Sequence, residues 1–168
     1  AASSGFHVGL SPHAPYSVHR ELLEEVVRIS AAERIPIAMH LAESREEIEL
    51  VSSGSGRFVD FLRQFGAWEP GNFRPGGRPL DYLRTLAGAH RALVVHGNYR
   101  DEEEIAFLAE RSERMAVVYC PRTHAYFRHA VHPLPRLLAA GATVALGTDS
   151  RASSPDLSVL AEMRFVAR

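Results

Sequence analysis

The sequence predicts an α/β fold built on a parallel sheet. Three observations point there: short apolar, β-branched runs recur along the chain, helical patterns separate them, and a polar residue stands just after each run. Short continuous apolar strands are buried on both faces, as in sheets covered by helices. Strand–helix alternation is the mark of that class. With 168 residues, the chain can hold one domain with a real core.

The elements follow in order. Residues 6–10 read as a first short strand, and Ser17 is placed to cap a helix whose apolar face is Leu22, Leu23, Val26, Val27 and Ile29. Residues 35–41 form a second strand, with Pro36 tolerable at its start. Residues 52–56 are a Gly/Ser-rich turn, followed by a helix carrying Phe58, Phe61, Leu62 and Phe65. Residues 69–79 hold three prolines and three glycines and read as a long irregular loop, a lid or pocket wall. A short helix over 80–86 and a third strand over 92–96 come next. Asp101 and Glu104 make a capping-box pattern before Ile105 and Leu108. A fourth strand covers 115–120, and a helix over 133–140 is stopped by Gly141. A fifth strand covers 143–146, and Ser154-Pro155 opens the last helix.

Composition narrows the function. The formal net charge is −1, which gives no general pull toward nucleic acid or an anionic membrane. All nineteen basic residues are arginines, which excludes a Schiff-base, phosphate-loop or carbamylated lysine within this chain. Cys120 is the single cysteine. An internal disulfide is therefore excluded, and a reducing, cytoplasmic setting is expected. No apolar run approaches the roughly 20 residues of a membrane span, and no signal peptide is recognised. Residue 1 is not methionine, and Arg168 sits in a helical pattern with no stop signal. The chain is expected to be a segment of a longer protein.

The chemistry gathers after the strands. His13 follows the first, His40 ends the second and His96 ends the third. Cys120, Arg122 and His124 follow the fourth, and Asp149 follows the fifth. In parallel α/β folds these strand ends share one face, and that face holds the active site. Imidazole nitrogen and carboxylate oxygen suit a zinc-like ion, which lowers the pKa of a bound water toward ~7. Glu43, three residues after His40, is placed to move protons. Singly, each residue has a structural reading: a strand-end histidine can pack, and Asp149 can cap its own turn. The ordered set His40, Glu43, His96, Asp149 favours a site. Cys120 reads as a small packing residue, and His129 and His132 could edge a pocket.

Five segments carry a resemblance: GLSPHAPY over residues 9–16, MHLAES over 39–44, VHGNY over 95–99, CPRTH over 120–124 and LGTDS over 146–150. In this order the chain resembles the deaminase and chlorohydrolase branch of the amidohydrolase superfamily. The resemblance implies the C-terminal part of a (β/α)8 TIM-type barrel, strands four to eight, in a single partial domain over 1–168. It implies one divalent metal ion, zinc or iron, held by His40 and Asp149. It implies catalytic roles for Glu43, His96 and Asp149, with His96 on the water and substrate side. His13, Glu43 and His124 would contact a small-molecule substrate. The family's His-x-His ligand pair and small β domain are absent from this sequence, so two of about four expected protein ligands are here. Relatives with two metals often use a strand-four lysine, and its absence points to one metal.

The reaction expected is hydrolytic deamination of an amino-substituted purine, pyrimidine, pterin or triazine. Dechlorination or ring-amide cleavage within the same superfamily is the first rival, and a non-catalytic segment unable to bind metal alone is the second. Exposed sheet edges leave oligomer formation open. A nucleotide-binding fold is disfavoured, because no glycine-rich phosphate loop follows a strand.

Overall fold

The computed structural model describes residues 8–167. Four parallel strands form one sheet in chain order: β1 (Ile37–Leu41), β2 (Ala92–His96), β3 (Met115–Tyr119) and β4 (Thr143–Leu146). Each strand pairs with its successor, with Leu41 opposite His96 and Tyr119 opposite Leu146. With the right-handed crossovers that parallel connections take, winding in one direction puts the connecting helices on one side. That is an arc of a barrel rather than a doubly wound sheet. Of the expected first strand, residues 6 and 7 lie outside the described residues. Leu10 contributes one parallel bridge to Ile37.

The helices are α1 (Arg20–Glu33), α2 (Arg45–Ser53), α3 (Arg57–Gln64), α4 (Pro79–Leu86), α5 (Glu102–Ala109), α6 (Pro121–Tyr126), α7 (Leu134–Ala139) and α8 (Val159–Val166). Ile37, Met39 and Leu41 of β1 pack against Leu23, Leu80 and Leu83 in one core. Each such side chain contributes about 1.5–3 kcal/mol by leaving water. Alternation then turns His40 to the opposite, helix-free face of β1. Among the described residues no helix is long and apolar enough to cross a membrane.

Three local expectations are corrected. Ser17 does not cap α1: its hydroxyl lies 2.6 Å from His13 Nδ1, and Asn72 Oδ1 instead accepts the Arg20 N–H at 2.9 Å. Leu22 points outward while Leu23 and Val27 are buried. The last helix starts at Val159, capped by Ser158, because the Ser154 hydroxyl is bound to Asp156 O and Glu162 Oε1. Helix α2 escaped the periodicity because only three of its nine residues are apolar.

The loop over 69–79 is fastened rather than free. Phe73 joins Leu50, Val59 and Leu62 in a second small core, with the Trp68 ring parallel to it at 5.8 Å. The Gly76 N–H donates to Ser52 O at 2.7 Å. This loop belongs to the outer helical layer and is not a free lid.

Candidate metal centre

His40, His96 and Asp149 each offer one ligand atom, and those atoms lie within 4.8 Å of one another. They arrive from the ends of β1 and β2 and from the turn after β4. The carbonyl of His13 accepts both the His40 backbone N–H, at 2.8 Å, and its ring Nδ1–H, at 3.0 Å. That leaves the Nε2 lone pair of His40 free. The rings of His40 and His13 lie 5.0 Å apart, centre to centre.

His96 reaches the cluster by breaking its strand. Regular alternation would turn it the way of Ala92 and Val94, into the helix-covered core. Its φ is +69°, and that of Gly97 is +63°. The ring instead lies 5.3 Å from that of His40. His132 Nε2–H donates to the His96 carbonyl at 3.0 Å, and the His132 ring stacks on Tyr119 at 3.9 Å. Burial holds the His96 imidazole down at about 4, against the pull of Asp149. It is therefore neutral at pH 7. Its Nε2 is buried without a hydrogen-bond partner among the described residues, 3.5 Å from Glu43 Oε1.

Asp149 has a left-handed φ of +56°, and its Oδ2 accepts from Ser153 Oγ at 2.9 Å. Gly147 lets this turn lie close: a Cβ there would meet Val118 Cγ1 at 2.7 Å. Burial, and next Asp149, raise the Glu43 carboxyl above its ordinary value.

Of the residues expected at the site, His40, Glu43, His96 and Asp149 come together and His13 borders them. His124 stands in a second group, its ring 5.7 Å from Tyr119 and 5.7 Å from His129. Its Nε2–H donates to Ala130 O at 2.8 Å. The Cys120 thiol is buried and pushed up to about 12 by that burial, which suits packing.

Sequence reasoning missed Tyr16, Glu47, Asn98 and Arg100. Tyr16 stacks on Phe58 at 4.4 Å, and burial with the Glu43 charge pushes its hydroxyl up to about 12. Asn98 Nδ2 donates to Glu43 O at 2.8 Å. A signal existed for Glu47: Ser44 and Glu47 have capping-box spacing.

Two imidazole nitrogens and a carboxylate oxygen form a donor set that fits a divalent, zinc-like ion. The orphaned Nε2 of His96 and the freed Nε2 of His40 both suit that use.

A family model described as "Amidohydrolase family" matches residues 1–168. The aminodeoxyfutalosine deaminase of Deinococcus radiodurans is 35% identical over 96% of this chain and 40% of its own length. The aminofutalosine deaminase of Helicobacter pylori superposes with a TM-score of 0.80 at 27% identity, over 94% of this chain and 39% of that one. An adenosine deaminase of Xanthomonas campestris, solved with bound zinc, gives 0.71 at 29% identity, over 95% and 31%. The chain thus spans less than half the length of the relatives it matches.

Proposed function

The chain belongs to the amidohydrolase family, its strands forming part of a (β/α)8 barrel, and on that premise we propose that the protein carrying it is a metal-dependent deaminase of an amino-substituted, purine-type nucleoside. The observation that carries this is the Glu43 carboxyl, 3.5 Å from the neutral His96 beside His40 and Asp149. Deamination needs a proton delivered to the ring nitrogen, and burial raises the Glu43 carboxyl, which favours its proton-holding form. The relatives named above are deaminases of nucleoside-like substrates.

His40 and Asp149 would hold the ion; zinc is preferred over iron because the Xanthomonas enzyme carries zinc. When bound, the ion makes water acidic enough to serve as nucleophile near neutral pH. Asp149 takes the proton that this water gives up. His96 Nε2 orients the water and the reacting carbon. Glu43 protonates the ring nitrogen next to the amine-bearing carbon and takes back the remaining hydroxyl proton as the carbonyl forms, and the proton held by Asp149 leaves with the amine as ammonia. One water is consumed, and a carbonyl replaces the amine. His13 and His124 border the substrate. We read the chain as one partial barrel domain of this longer protein, and the whole activity as that protein's.

The test uses the full-length protein loaded with zinc or with iron. It is offered adenosine-type nucleosides, guanine, and amino- and chloro-triazines, and ammonia and chloride are both measured. Ammonia from a nucleoside is the expected result. Chloride without ammonia would overturn it in favour of dechlorination.

A further inference from the structure

The turn after β1 carries Glu43, and its backbone is gripped on both sides. Ala42 is fully buried and holds a left-handed φ of +57°, disfavoured for a residue with a Cβ. Its N–H and that of Glu43 are taken by a single carboxylate: Ala42 N–H donates to Glu47 Oε1 at 2.7 Å, and Glu43 N–H to Glu47 Oε2 at 3.0 Å. The carbonyls are taken by the segment after β2. Gly97 N–H and Arg100 Nη2 donate to Leu41 O at 3.1 and 3.2 Å. Tyr99 N–H donates to Ala42 O at 3.3 Å, and Asn98 Nδ2 to Glu43 O at 2.8 Å.

Glu47 does more here than cap a helix. It sits at the third position of α2, with Ser44 as the cap. A capping-box glutamate would turn back to the cap's own N–H. Glu47 reaches past Ser44 to the two residues before it. An isolated buried carboxylate would be costly, and Glu47 is only 1% exposed. The charge facing it is Arg100, whose side chain is fully buried and lies 3.6 Å from Glu104. This network touches no reacting atom. Its geometric route to the site is the backbone that carries Glu43, alongside the repulsion between the Glu47 and Glu43 carboxylates.

We propose that Glu47 is a positioning residue: backed by Arg100 and opposed by Asn98, it clamps the Ala42–Glu43 turn and sets where the Glu43 carboxyl meets His96. The inference rests on the role proposed for Glu43 in deamination. A misplacement of about 1 Å at a reacting group costs on the order of 100-fold in rate.

The test compares the zinc-loaded full-length protein with its Glu47→Gln, Glu43→Gln and double variants. A glutamine at 47 offers one acceptor oxygen and turns an NH2 toward the other amide, so one of the two bonds is lost. Glu47→Gln should lower kcat on the order of 100-fold, with KM and metal content unchanged. Added to Glu43→Gln it should cost nothing further, because it works only through that side chain. Amide exchange at Ala42 and Glu43 should quicken while Val94 and Val117 keep their protection. Asn98→Ala attacks the same turn from its carbonyl side and should reproduce the kcat loss, even if Glu47→Gln does not fold. Wild-type kcat in Glu47→Gln, a loss matched by lost metal, or a further loss in the Glu43→Gln background would each overturn the proposal. If the wild type releases ammonia from no substrate, the deaminase reading fails separately. The exchange arm then decides the clamp, and unchanged protection at Ala42 and Glu43 would overturn it.

Discussion

The carbonyl of His13 fixes the tautomer of His40. It accepts the ring Nδ1–H at 3.0 Å and the backbone N–H of the same residue at 2.8 Å. A carbonyl cannot donate, so the ring proton sits on Nδ1 and the lone pair on Nε2 is left for a ligand beside His96 and Asp149. Ligating histidines are commonly oriented through their second nitrogen in this way.

A proton-detected nitrogen spectrum of the full-length protein, stripped of metal, should therefore show His40 protonated at Nδ1. Zinc addition should move the Nε2 resonance and leave Nδ1 bonded. An Nε2–H tautomer would remove His40 from the ligand set. His40→Ala should abolish zinc retention, read by metal analysis after gel filtration.

Glu43→Gln keeps the shape of the side chain and removes the proton it would deliver. The expected loss in kcat is on the order of 100- to 10,000-fold, with zinc content unchanged. Retained kcat in this variant would assign the proton transfer elsewhere.

Ser153 Oγ donates to Asp149 Oδ2 at 2.9 Å and so orients a proposed ligand. Ser153→Ala should weaken zinc affinity roughly 10- to 100-fold, the usual cost of losing such a support. Competition with a chelator measures it, and wild-type affinity would mean the hydroxyl contributes nothing to ligation.

Burial holds the His132 imidazole down from 6.5 to about 4. Its Nε2–H is committed to the His96 carbonyl, and among the described residues its buried Nδ1 has no acceptor for the N–H that a second proton would create. The unfolded chain gains a proton below about 6.5 that the folded form refuses until about 4. The stability from this group is therefore complete above 6.5 and lost as pH falls through that window, up to ~3 kcal/mol at 1.4 kcal/mol per unit. Denaturant midpoints measured from pH 7 to pH 4 should fall less in His132→Gln than in wild type. Parallel curves would show that His132 titrates normally.

The order of elements and the identity of the clustered residues were legible in the sequence, for one reason. In a parallel sheet the residues just past each apolar run arrive at a common edge, whatever the details between. His40, His96 and Asp149 needed no more than that, and Asp101 with Glu104 formed the capping box their spacing predicted. The way His96 points was decided elsewhere. A period of two sends it into the helix-covered core with Ala92 and Val94, and only a left-handed φ turns it back toward His40. That conformation is held by Gly97 on Leu41 and by His132 on the His96 carbonyl, bonds spanning 56 and 36 positions. Ser17 differs in kind: spacing offered it as a helix cap, but its hydroxyl is taken locally by His13, four positions before it. Local pattern specifies which strand end a residue occupies, whereas its direction there depends on hydrogen bonds that form only when the strands have paired.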